Sequence, residues 1–126
     1  MQLEGLTCIG GLELGAVPIV TAVAQASHRK RHPISSFFVR KNAKAHGALE
    51  RIDGYLKGHS EFLVVDDVTT TGSSMLKAIE AIREEGYDAQ VTKALSIIDR
   101  QEGARETLAG QGIELFSLVD RSDFGL

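Results

Sequence analysis

Asp66 and Asp67 stand side by side where an apolar run, Phe62 to Val65, ends, and Val68-Thr69-Thr70-Thr71-Gly72-Ser73-Ser74 follows. Two adjacent carboxylates offer acceptors and no donors, which suits vicinal sugar hydroxyls or the waters of a divalent cation. The hydroxyls of Thr70, Thr71, Ser73 and Ser74 offer donors, and Gly72 lets the backbone close tightly on an anion. The next segment, Met75 to Arg83, has apolar residues at helical spacing. Its first N–H groups would lack intrahelical partners and lie at the positive end of the helix dipole, a ready place for a phosphate. A phosphate cradle beside a diol clamp is what a ribose 5-phosphate site requires. The plainer alternative is a strand ending in a capped turn with two solvated aspartates. Neither a Gly-x-x-x-x-Gly-Lys-Ser/Thr run nor a Gly-x-Gly-x-x-Gly run is present, which argues against a P-loop NTPase or a dinucleotide site.

The elements that must position these residues alternate along the chain. The pattern predicts strand 6–9, helix 15–30, strand 35–39, loop 40–58, strand 61–66, helix 73–85, strand 91–98, helix 102–111 and strand 114–118. This alternation implies an α/β fold with a three-layer parallel sheet of about five strands and helices on both faces. In such sheets ligands bind beyond the carboxyl ends of the strands, where the Asp66–Ser74 loop would sit. No repeat, low-complexity stretch or internal linker interrupts the chain, so residues 1–126 are expected to form a single domain.

A second chemical segment is Arg40-Lys41-Asn42-Ala43-Lys44-Ala45-His46-Gly47, which concentrates four basic side chains after the strand ending at Val39. A solvated basic loop is one reading. The other is a mobile lid over 40–58, because long loops in compact domains often close over a site. Cations that arrive with closure would stabilise negative charge as a polyphosphate leaves. The basic cluster His28-Arg29-Lys30-Arg31-His32 ends a helical stretch and reads as a solvated helix terminus.

Val64 to Ser74 resembles the phosphoribosyl-pyrophosphate (PRPP) motif of type I phosphoribosyltransferases, with Asp66, Asp67, Val68, Thr69, Thr70, Thr71, Gly72, Ser73 and Ser74 as its ligand-facing residues. The Arg-Lys-x-x-Lys-x-His-Gly spacing at 40–47 resembles the catalytic loop of orotate phosphoribosyltransferases. That resemblance implies Lys44 as the prime catalytic cation, with Asp66 and Asp67 at the ribose and Arg40, Lys41 and His46 on the departing pyrophosphate. In that family the loop enters the neighbouring subunit's site, which implies a homodimer. Gly10-Gly11-Leu12-Glu13-Leu14-Gly15 resembles the family's pyrophosphate-binding turn, with Glu13 among its substrate-binding residues; many members place a lysine just before the last glycine, where this chain has Glu13-Leu14-Gly15, an acidic variant that some relatives share. Asp99-Arg100-Gln101-Glu102 resembles the segment whose arginine, here Arg100, grips the orotate carboxylate; a planar guanidinium suits that bidentate contact.

The resemblance implies a Mg²⁺-dependent transfer of the 5-phosphoribosyl group from PRPP to orotate, giving orotidine 5′-monophosphate and pyrophosphate in pyrimidine biosynthesis. The Mg²⁺ would be carried by PRPP and reach Asp66 and Asp67 through water. It extends from about Gly5 to Asp120, and the N-terminal hood that family members place over the base is expected to be lacking. Two alternatives remain at this point: a PRPP- or nucleotide-sensing module without turnover, and a transferase for another base.

The composition fits such a chain. At 126 residues with 43% hydrophobic content it can bury a real core, and a net charge of −3 disfavours general nucleic-acid binding. The only cysteine, Cys8, cannot form an internal disulfide and reads as a small core hydrophobe. No apolar stretch reaches the roughly eighteen residues of a membrane span and no signal-peptide pattern opens the chain, so a cytoplasmic enzyme is expected.

Overall fold

In the computed structural model, residues 5–42, 51–54, 56–59, 61–85 and 90–125 are described. Their elements are β1 (Cys8–Gly10), α1 (Ala16–Arg29), β2 (Ser35–Val39), β3 (Ile52–Gly54), β4 (Glu61–Thr69), α2 (Ser73–Glu84), β5 (Gln90–Asp99), α3 (Ala104–Ala109) and β6 (Glu114–Asp120), followed by a 3-10 turn, Arg121–Phe124. They form one six-stranded sheet in the order β3-β2-β1-β4-β5-β6. From β1 the chain moves outward through α1 to β2, and from β4 it moves the other way through α2 and β5. The sheet therefore reverses direction between β1 and β4, which opens a crevice at the carboxyl ends of those two strands.

The run Phe62-Leu63-Val64-Val65 in β4 has no polar alternation because both faces of the strand are covered. Phe62 and Val64 pack with Met75, Ala78, Ile79 and Ile82 of α2 and with Ala104 and Leu108 of α3. Leu63 and Val65 face the other way, toward Ala16 and Val20 of α1. Phe37 of β2 meets Phe62 edge-on, with ring centroids 5.9 Å apart. Cys8 is fully buried, and that burial pushes its thiol up to about 12, so it behaves as a packing residue.

The five expected strands pair in parallel throughout, and three details differ from expectation. A sixth strand, β3, adds to the edge antiparallel to β2, with Phe37 opposite Gly54 and Val39 opposite Ile52. That added strand brings the total to six and lies inside the stretch expected as loop 40–58. β4 continues past Asp66 to Thr69, because β5 supplies a ladder partner at Ser96, Ile98 and Asp99. α3 starts later than the expected residue 102, since Gly103 (φ 104) holds a left-handed conformation that a helix cannot include, and it ends at Ala109.

Gly11 fixes how closely the turn after β1 approaches β4. A methyl group on it would overlap the Val65 carbonyl oxygen and sit 2.7 Å from the Ala16 Cβ. Gly11→Ala is expected to lower stability by about 1–3 kcal/mol in urea unfolding. Gly110→Ala, whose added methyl meets only ordinary contacts at 3.5 Å, should stay within about 0.5 kcal/mol. Equal midpoints for the two variants would remove this constraint from the fold.

Candidate active site

Two loops meet at the switch point. The turn after β1 ends at Gly15, the residue that opens α1, and the end of β4 carries Asp66 and Asp67. A methyl group at Gly15 would lie 2.5 Å from Asp67 Oδ1 and 2.6 Å from Asp66 Oδ1, so only a bare backbone admits this approach. Asp66 is buried and Asp67 exposed. Each carboxylate is oriented locally: Asp66 Oδ1 accepts from the Asp67 N–H at 2.9 Å, and Asp67 Oδ1 from the Val68 N–H at 2.7 Å. Burial, followed by the neighbouring Asp67 carboxyl, raises Asp66 to about 6.

Asp66, Val68, Thr69, Thr70, Gly72, Ser73 and Ser74 line one small pocket, whereas Asp67 and Thr71 are not among its lining residues. α2 begins directly after Gly72, which is left-handed at φ 90, and no side chain caps the helix. Its first turn also lacks an acidic residue. The capped-turn alternative therefore fails, and the unpartnered N–H groups of that turn are left for an anion. Thr71 and Ser73 are exposed, Thr70 and Ser74 half-buried. Thr69 is buried with its hydroxyl toward Met75 Sδ at 4.0 Å, which gives it a packing role at the pocket's floor.

The other expected residues distribute around this centre. Glu13 braces the β1 turn against the start of the basic segment: its N–H donates to the Val39 carbonyl at 2.8 Å, and its Oε1 accepts from the Lys41 N–H at 2.9 Å. Arg40 is not aimed into the crevice. It is ion-paired with Asp53 of β3 and lies over the Phe38 ring at 5.7 Å. Arg100 follows β5, where its N–H donates to the Thr69 carbonyl at 2.9 Å and its exposed guanidinium pairs with Glu102 at 3.3 Å. Lys44 and His46 lie outside the described residues.

Several partners were not legible as such. Asp53 pairs with Arg40, and Glu85 Oε1 accepts the backbone N–H groups of Arg51 (2.6 Å) and Ile52 (3.2 Å), tying β3 to the end of α2. Asp99, almost fully buried, accepts from the Gln101 N–H at 2.9 Å and faces Arg105 at 3.5 Å, which pins the turn that carries Arg100. Only the Arg–Asp charge pairing offered a sequence signal, and it does not say which residues meet. Among the described residues no group of three or more His, Cys, Asp or Glu forms a metal cluster, and no helix is long and apolar enough to cross a membrane.

The raised Asp66 pKa predicts a pH-dependent stability. Between about pH 4 and pH 6 the folded state holds this proton more tightly than the unfolded chain, so stability falls as pH rises through that window. Asp66→Asn is therefore expected to match the wild type near pH 4 and to unfold at higher urea at pH 8. A variant that is equally or less stable at pH 8 would refute a buried, destabilising carboxylate.

No protein-family model matches the chain. It is 49% identical over 125 residues to the orotate phosphoribosyltransferase of Rhodopseudomonas palustris strain BisB5, covering 96% of this chain and 66% of that protein. With the orotate phosphoribosyltransferase of strain BisB18 it shares 46% identity over 128 residues, 98% of this chain and 67% of the relative. The chain thus spans about two thirds of the length of these curated relatives. Among solved structures, the Mycobacterium tuberculosis H37Rv orotate phosphoribosyltransferase in complex with PRPP superposes with a TM-score of 0.79 at 35% identity, covering 95% of this chain and 66% of that one. A carboxylate pair, an uncapped helix start and a glycine turn meet here on a fold shared with these proteins, and the chain belongs to the orotate phosphoribosyltransferase family.

Proposed function

We propose that this chain transfers the 5-phosphoribosyl group from PRPP to orotate. The observation that carries the reading is the meeting of Gly15, Asp66 and Asp67 beside the uncapped start of α2. The α2 N–H groups with Thr70, Thr71, Ser73 and Ser74 would hold the 5-phosphate. Asp66 and Asp67 would accept from the ribose hydroxyls, and the diphosphate would extend toward the β1 turn and Lys41. A ring nitrogen of orotate forms a bond to the anomeric carbon while the carbon–oxygen bond to pyrophosphate breaks. The electron pair leaves with pyrophosphate, and the nitrogen's acidic proton goes to solvent. Catalysis then rests on position and on charge stabilisation rather than on a strong base.

Mg²⁺ fits this donor set as an ion brought in by the diphosphate. It keeps several waters and is commonly held by one or two carboxylates plus substrate phosphates, and Asp66 with Asp67 supplies such a pair. Lys44 is assigned the cation on the leaving group, with His46, Lys41 and Arg40 assisting; Arg40 would have to exchange Asp53 for the ligand. Arg100, released from Glu102, would take the orotate carboxylate. A homodimer in which segment 40–47 enters the neighbouring site completes the proposal.

Orotate consumption, followed by its ultraviolet absorbance with the purified chain, should require PRPP and Mg²⁺ together. Absence of consumption under saturating PRPP and Mg²⁺ would contradict the proposal. Lys44→Ala is expected to lower kcat on the order of a hundredfold while PRPP still binds, and unchanged turnover would remove Lys44 from its role. Arg100→Ala should raise the KM for orotate with little effect on the KM for PRPP; equal changes in both would argue against a base-specific contact.

A further inference from the structure

From Leu14 to Leu49 the chain has no acidic residue, and this stretch contains His28-Arg29-Lys30-Arg31-His32 at the end of α1. All five side chains are exposed. Among the described residues none of the five is ion-paired, whereas Arg40, Arg100 and Arg105 each have a carboxylate. The cluster also lies far from the crevice. α1 starts beside Asp66 and Asp67, and its 14 residues carry the chain about 20 Å away. There it reaches the amino ends of β1 and β2, where the Ser35 N–H donates to the Thr7 carbonyl at 2.9 Å.

The helix end does not need these cations as caps. Its Ala26, Ser27 and His28 carbonyls already accept the N–H groups of Lys30 (3.1 Å), His32 (2.9 Å) and Arg31 (3.1 Å). That closure places a left-handed residue just past the helix, and Arg31 fills the position at φ 59, where glycine is favoured. An arginine held there costs backbone strain, which directs attention to what its side chain does. Buried Ser27 fixes the same turn: its Oγ donates to the Ala24 carbonyl at 2.7 Å and accepts from the Ile34 N–H at 3.0 Å. A set backbone therefore presents the three cations, and less ordering entropy opposes a partner.

We propose that this corner is a docking surface for an acidic segment of another protein. Two guanidiniums separated by one residue suit carboxylates, which they can grip in bidentate fashion. The rest of the chain is net acidic, so a long nucleic-acid strand running past the cluster would be repelled. The exposed large apolar side chains Leu14, Val68, Ile97, Leu118 and Phe124 lie toward the carboxyl ends of the strands or beyond them. Among the described residues the corner thus has neither a stacking platform for bases nor an apolar wedge for a membrane. A short acidic peptide meets the cations alone. This surface is separate from the crevice and does not depend on the transferase reading.

The test is fluorescence anisotropy of a labelled decaglutamate peptide titrated with the wild-type chain, Arg31→Gly and Arg29→Ser/Lys30→Ser/Arg31→Gly at one low ionic strength. The wild type is expected to bind saturably. Affinity should fall about threefold in Arg31→Gly and at least about tenfold in the triple variant. Glycine relaxes the left-handed turn, so the urea midpoint of Arg31→Gly should equal or exceed that of the wild type. Weaker binding by a chain at least as stable separates the docking role from a structural one, and it needs no triple variant. Equal peptide affinity in wild type and Arg31→Gly, or no binding to the wild type, overturns the proposal. So does a lower midpoint for Arg31→Gly, which would mean that the fold itself requires the arginine. Tighter binding of a thymidine decanucleotide or of phosphatidylserine vesicles than of the peptide would overturn it in favour of nucleic acid or membrane.

Discussion

The close approach of two backbones, the turn after β1 and the end of β4, is the constraint on which the rest depends. Gly11 lies against the Val65 carbonyl, and Gly15 lies against both aspartate carboxylates. Side chains at either position would push α1 away from the acid pair. The sheet order explains why this contact falls where it does: β1 and β4 are neighbours whose following helices leave on opposite faces. The crevice between them is a product of topology, and the glycines keep it narrow enough for one ligand to touch both loops.

Charge is arranged around that crevice with little internal cancellation. Asp66 and Asp67 crowd one side, close enough that burial and mutual proximity raise Asp66. Lys41, Arg51 and Lys77 gather on another without an acidic neighbour in their cavity. The uncapped start of α2 adds a third polar feature. A ligand that carries hydroxyls at one end and phosphates at the other, as in the proposed reaction, would complement these groups. By contrast, Arg40 and Arg105 are matched to Asp53 and Asp99, and those pairs brace the β2–β3 hairpin and the turn before α3.

Much of this was legible because it is local. The unbroken Phe62–Val65 run announces a strand buried on both faces, and the acid pair followed by hydroxyls and Gly72 announces the loop. β3 was missed because Ile52-Asp53-Gly54 has no period of its own; it is a strand only because Phe37–Val39 offers a free edge across a hairpin. β4 outran its expected end for a similar reason, since the ladder with β5 holds Asp66 to Thr69 extended. Arg51 and Lys77 escaped notice because they are far apart in sequence and each is ordinary in its own segment. Only the packing of α2 against the hairpin end brings them to one cavity. Arg40 shows the reverse case, in which a residue type suited to the ligand is committed to a partner that the sequence does not point out.

The central claim is that one ligand bridges the β1 turn and the β4–α2 loop, and backbone amide shifts in a nuclear magnetic resonance titration with PRPP test it most directly. The account predicts saturable shifts at Gly11–Gly15 and at Asp66–Ser74 with a single dissociation constant. Contradiction would be shifts confined to a separate cavity of about 350 Å³ lined by Arg105, Ala109, Gly112, Ile113, Glu114 and Leu115.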